Sequence, residues 1–264
     1  MLVSKNNFLV EVDSQFVQPA MKGFFIDTDF NPKLLSTKIG RIHTESIGVT
    51  APSIYDVPLH QGDVVVFGHL VCQKKNMVHD NVFRCAYHSI FAKIVNNELK
   101  PLEEIMFCEP MRDEDQEFGG MIIPGGVSGT RAKVFELSEA CKKAGIQKGD
   151  IVFFTKNADY GIDVLGKELY MMRIRNVIGI ERDGVLKTFR NKLLVKNVTQ
   201  LGSIGSIDKI YHQTSLQTGE VVESGKTGIV TGSVVTYLNG IASIVRWNGV
   251  DYAFIDETHI KYFK

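Results

Sequence analysis

KGDIVFF, residues 148–154, is a Gly-Asp step followed by four residues that are all β-branched or aromatic. Glycine and aspartate supply turn geometry, and the residues after them suit a pleated, half-buried surface, so the stretch predicts a tight turn opening a strand. Once, the pattern is weak. It recurs as QGDVVVF at 61–67 and TGSVVTY at 231–237, with Gly62, Gly149 and Gly232 spaced 87 and 83 residues apart. Some 20 or 21 residues after the start of each stretch comes a second block: VFRCAYHSIFAKI from Val82, LYMMRIRNVIGIE from Leu169 and DYAFIDETHIKYF from Asp251. Two features at matched offsets in three places make an internal repeat, the first thing to establish in a chain of this kind.

Each second block reads as strand, short polar step (HS, RN or DET), strand. Upstream of each turn lie KIGRIH (38–43), RAKVFEL (131–137) and TGEVVES (218–224), and before those FLVEV (8–12), EIMFCEP (104–110) and KLLVK (192–196). Each copy therefore predicts a small all-β unit, most economically a closed barrel. The expected domains are 1–101, 102–189 and a shortened 190–264. Helix is expected to be scarce, with SEACKKAG (138–145) the best candidate. NNELKP (96–101) and ERDGVLKTF (181–189) read as tight connections, so neighbouring units should pack directly.

Lysine plus arginine equals aspartate plus glutamate at 30 each, and no basic block offers a track for phosphates. Nucleic acid and anionic membrane are not expected as partners. The four cysteines are widely spread, and the chain shows no apolar leader and no run long enough to span a bilayer. A reduced, cytoplasmic protein is the expectation.

One stretch is out of keeping with a simple barrel. GGMIIPGG (119–126) sets Met121, Ile122 and Ile123 between glycine pairs, after the polar, mostly acidic MRDEDQEF. Glycine's freedom and the missing donor of Pro124 predict a loop, and apolar side chains on a loop either fold back on a core or serve a partner.

In its order of elements the chain resembles the GroES-like co-chaperonin (chaperonin-10) family. The second copy carries the resemblance best, through EIMFCEP, GGMII, RAKVFEL, KGDIVFF, YGIDV (160–164) and LYMMRIRNVIGI. The first offers FLVEV, GFFI (23–26), KIGRIH and QGDVVVF, and the third KLLVK, TGEVVESG, GSVVTY and YAFIDETHIKYF. The resemblance implies three tandem GroES-like β-barrels with long loops, no enzymatic activity and no cofactor, and docking on a chaperonin ring to assist folding. It also implies that Gly119, Gly120, Met121, Ile122 and Ile123, with Gly23, Phe24, Phe25 and Ile26, form the partner-binding loops. A single triplet binds weakly once loop ordering is subtracted, so tethered copies would act by avidity, in a homo-oligomer or larger assembly.

Three features depart from that family. The third loop (197–217) scatters Ile204, Ile207, Ile210 and Leu216 without a glycine-flanked triplet, the segments that would roof a ring are variable, and three units per chain cannot tile a ring of seven evenly. These keep a second class open: the same barrels reused as a structural or assembly protein, for example of a phage particle, which would place the chain in a virion.

Other motifs lead to simpler readings. HLVC (69–72) and CAYH (85–88) have zinc-like spacing, but residues three apart on a strand face opposite ways, so a buried Cys72 and Cys85 with surface histidines is expected and no metal. No nucleophile elbow, phosphate-binding glycine loop or His-Glu-x-x-His occurs, and the carboxylates of DEDQE (113–117) read as a solvated stretch.

Overall fold

The structure, a computed structural model, describes residues 7–13, 38–44, 57–113, 116–118, 121–200, 216–225, 227–238 and 240–263, with the backbone alone for 116–118, 121–123, 197–200 and 263. The fold is all-β, in three antiparallel sheets. The first holds β1 (Asn7–Glu11), β2 (Ile39–Thr44), β3 (Val64–Phe67), β4 (Met77–His79), β5 (Val82–Ala86), β6 (Ile90–Val95) and β7 (Glu98–Pro101). The next stretch supplies β8 (Ile105–Arg112), the separate pair β9 (Gln116–Phe118) and β10 (Met121–Ile123), then β11 (Val127–Leu137), helix α1 (Glu139–Lys143), β12 (Ile151–Phe154), β13 (Tyr160–Val164), β14 (Lys167–Arg173), β15 (Val177–Arg182) and β16 (Val185–Thr188). The third sheet holds β17 (Lys192–Gln200), β18 (Leu216–Ser224), β19 (Val234–Leu238), β20 (Ser243–Trp247), β21 (Val250–Asp256) and β22 (Ile260–Phe263).

The strand orders are β4-β5-β1-β2-β3-β6-β7, β13-β14-β8-β11-β12-β15-β16 and β20-β21-β17-β18-β19-β22. These are one permutation written three times, the third without its last member among the described residues. The repetition extends to irregularities. A register shift falls between Val66 and Phe67, between Phe153 and Phe154, and between Thr236 and Tyr237, where each third-position strand meets its partner. Bulges are specific devices that bend a strand, so their recurrence at one position argues for common geometry and not for shared β-content alone.

Local chemistry explains the turns. Gly62, Gly149 and Gly232 adopt φ of 89°, 92° and 90°, the left-handed region that other residues enter at a cost. Their amides donate to the carbonyls of Ile42, Val134 and Val221 on the preceding strand, at 2.8, 2.9 and 2.7 Å. The aspartate after the glycine then ties the turn to the strand that pairs with β3 or β12, namely β6 or β15. Asp63 pairs with Lys93 at 2.8 Å, and Asp150, 4% exposed, receives Arg182 Nε at 2.8 Å and Nη2 at 2.7 Å. Two parallel donors on one carboxylate make a directional anchor, so the turn acid is structural. In the third copy Ser233 stands in that place.

The short polar steps of the second blocks form 3-10 turns at Tyr87–Ser89, Ile174–Asn176 and Glu257–His259. Ser138 caps α1, its Oγ accepting from the Cys141 amide at 3.3 Å, as the sequence suggests for SEACKKAG.

Three expectations need correction. The sheets are open: strand order runs from one edge to the other, and no pairing closes a barrel among the described residues. In each copy the chain passes from the strand beside the first to the strand beside the third through the three-residue 3-10 turn, so the connection there is covalent and not a ladder. Second, the tight connections NNELKP and ERDGVLKTF contain strands β7 and β16, which extend their sheets by one member each. Asn96, Asn97, Asp183 and Gly184 all take positive φ, forming two-residue hairpin turns where the sequence alone predicts only tight connections. Third, Met121–Ile123 is a strand and not a loop. It pairs antiparallel with β9, Met121 with Phe118 and Ile123 with Gln116.

By contacts the chain divides into two compact units, residues 1–127, 133–149 and 159–175 in one, and 128–132, 150–158 and 176–264 in the other. In the first, Val66, Phe67, Ala92 and Leu99 share one core with Phe107, Ile162, Leu169 and Met171 of β8, β13 and β14. In the second, Phe153, Ile178 and Leu186 of β12, β15 and β16 share a core with Leu194, Val245, Tyr252 and Phe254 of β17, β20 and β21. A separate core of Leu193, Val195, Val221, Val235, Tyr237 and Ile255 lies under the third sheet itself. Each unit thus uses the same packing: the strands of one copy that begin its sheet order cover the strands that end the order of the copy before. At the closest point the Phe254 ring lies over Gly179, with the Phe153 ring 6.1 Å away.

Candidate functional site

The apolar triplet sits on the β9–β10 hairpin, inserted between β8 and β11, the first two strands of the second copy. At its base the Asp113 amide donates to the Gly126 carbonyl at 2.9 Å, and Val127, the first residue of β11, is 59% exposed. β9 and β10 pair with each other and form a sheet of their own. Two strands alone bury little apolar surface and are marginal in water, so such an element gains most from a third surface laid against it.

Register brings Met121, Ile122 and Ile123 opposite Phe118, Glu117 and Gln116. Sequence reasoning missed Phe118 as a companion of Met121. The signal was present, because a two-residue Gly-Gly step between short runs is a hairpin signature. Gly119 and Gly120 lie outside the described residues, as do Gly23, Phe24, Phe25 and Ile26, Phe30, Leu34 and Leu35, and the third-copy isoleucines Ile204, Ile207 and Ile210. In the strand order these groups occupy one topological place, the connection between the first and second strands of each copy.

The His/Cys constellation takes a different form from a metal centre. Cys85 is fully buried, its thiol donating to the Ala86 carbonyl at 3.6 Å, and Cys72 is half-buried; burial pushes both thiols up to about 12, so they are protonated at neutral pH. His69 is taken up by Tyr160. The Tyr160 hydroxyl accepts from the His69 amide at 2.7 Å and contacts Nδ1 at 2.7 Å, with the rings stacked at 5.6 Å. Burial raises the Tyr160 pKa, so this phenol stays protonated through the neutral range. Among the described residues no three His, Cys, Asp or Glu side chains gather as a metal-holding group, and no disulfide joins the cysteines. Among the same residues no helix is long and apolar enough to cross a membrane.

No family model and no curated protein matches the chain.

Proposed function

We propose that the chain is a non-enzymatic, co-chaperonin-like protein whose three repeated β units, curled and barrel-like in the GroES manner, present apolar elements to a chaperonin ring. The observation that carries this reading is the placement of Met121–Ile123 on a pair of strands that has no third member among the described residues, at the connection where all three copies bear their insertions. Burying each such side chain in a groove contributes roughly 1.5–3 kcal/mol. The hairpin register costs less to order than an unpaired loop would, which favours docking of the second copy over an unstructured triplet. Hydrogen exchange tests it. Amides of residues 116–123 should exchange quickly in the free protein and be protected when a chaperonin ring and ATP are added, while those of β12 and β15 stay unchanged. Equal exchange with and without the ring would oppose the proposal.

A second reading, a structural or assembly protein, is favoured by one feature of the third sheet. Register places Ala92, Gly179 and Tyr262 at equivalent positions, opposite Val66, Phe153 and Thr236. The first two are buried in their units, whereas Tyr262 is 70% exposed and its neighbour Val234 46% exposed. A face of this kind suits another copy. Light scattering that shows self-association, lost in Val234→Asp with Tyr262→Lys, together with no chaperonin binding, would favour assembly.

A further inference from the structure

We infer that the first sheet holds a pocket for a small organic phosphate, a site independent of the docking reading. A cavity of about 390 Å³ opens among the turn after β3, the 3-10 turn at 87–89, β5 and the start of β13. Its polar lining includes Asn7, His69, Lys75, Arg84 and His88, and no aspartate or glutamate among the described residues. Phe91, Val71 and Tyr160 supply an apolar floor.

Two observations single this cavity out. The first is electrostatic. Lys75 and Arg84 are exposed and have no carboxylate partner among the described residues. The wall's carbonyls are meanwhile engaged by protein donors: Asn76 Nδ2 donates to Leu70 O at 2.8 Å and Val71 O at 3.1 Å, the Gly68 amide to Ser89 O at 2.9 Å, and Arg173 Nη2 to His88 O at 2.9 Å. Cations are left facing the space while acceptors are turned to internal work. The second comes from the repeat. Pairing with the first strand of each copy puts Arg84, Met171 and Phe254 at one position, opposite Leu9, Phe107 and Leu194. Met171 and Phe254 are buried in their units, so an arginine there is peculiar to the first copy, where it lines the cavity. An ammonium and a guanidinium with a neighbouring imidazole match a dianion, and guanidinium geometry fits phosphate oxygens in pairs. The apolar floor asks for a compact body on the other side of the ester.

Phenyl phosphate is the probe that carries both features. Calorimetric titration of the full chain should show saturable binding, with amide shifts confined to residues 68–76 and 84–89. Arg84→Gln and Lys75→Gln should each weaken it at least about tenfold, the loss expected for one hydrogen bond to a charged group. Both side chains are exposed, and an unchanged thermal midpoint would show that the fold is intact. Benzoate should bind more weakly than phenyl phosphate. No saturable binding by the unaltered chain, or full affinity in the doubly substituted chain, would overturn the site, and equal affinity for benzoate would overturn its assignment to phosphate.

Discussion

At the scale of single residues, glycine and charge set what the repeats tolerate. A Cβ at Gly179 would enter the van der Waals envelope of the Phe254 ring, whereas nothing lies within 4 Å of a Cβ at Gly149. The two glycines are therefore needed for different reasons. Gly179→Ala should cost about 1–3 kcal/mol through overpacking and be relieved in part by Phe254→Leu. Gly62→Ala, Gly149→Ala and Gly232→Ala should each cost about 1–2 kcal/mol through left-handed strain alone, with no second-site relief. Urea titration of single and paired variants separates the two cases. A pH effect belongs to Asp256. Its carboxyl is held down at about 2, first by the Thr258 hydroxyl, which outweighs the upward push of burial, and then by the Lys192 ammonium at 3.1 Å. A depressed folded value gives stability that is present above the ordinary carboxylate pKa and is lost as pH falls through the folded one. The contribution should fade between about pH 4 and pH 2, and Asp256→Asn should flatten the stability profile in that window; an identical profile for the variant would remove Asp256 from the account.

At the scale of elements, much of the fold was legible because turn chemistry and β-composition recur together. Gly-Asp before a run of β-branched residues marked β3 and β12, and the polar steps of the second blocks marked their 3-10 turns. Three of the missed strands have a common cause. β7, β10 and β16 are three or four residues long and sit beside Asn-Asn, Gly-Gly or Asp-Gly, so the residues that make a two-residue hairpin turn also make a sequence look like linker. Closure could not be read because it depends on whether the outermost strands meet, which no local pattern records. The cationic cavity was equally hidden, since Lys75, Arg84 and His88 converge only after β4 and β5 fold back beside the 3-10 turn. At this scale the account predicts that Gly119→Val with Gly120→Val, the two residues that stand between β9 and β10 in the sequence, abolishes partner binding while leaving the sheets' thermal midpoint within a few degrees. Retained binding would show that the hairpin shape is dispensable.

At the scale of the whole molecule, three copies of one strand order are distributed over two compact units, so sequence repeats and compact units do not coincide. A cavity in the first unit, Phe107→Ala, should lower the protection of β1, β3 and β14 amides by about 3–5 kcal/mol, and Phe254→Ala should do so for β12, β15 and β17. Hydrogen exchange resolved by segment reads this directly, and equal loss in both units from either change would mean that the chain unfolds as one. Docking of the apolar hairpin on a chaperonin ring is our proposal. The measurement that tests it most directly is capture of a chaperonin ring in the presence of ATP by the unaltered chain and by a chain with Met121, Ile122 and Ile123 all changed to serine. The account predicts capture by the first and none by the second. No capture by either, or equal capture by both, would contradict it.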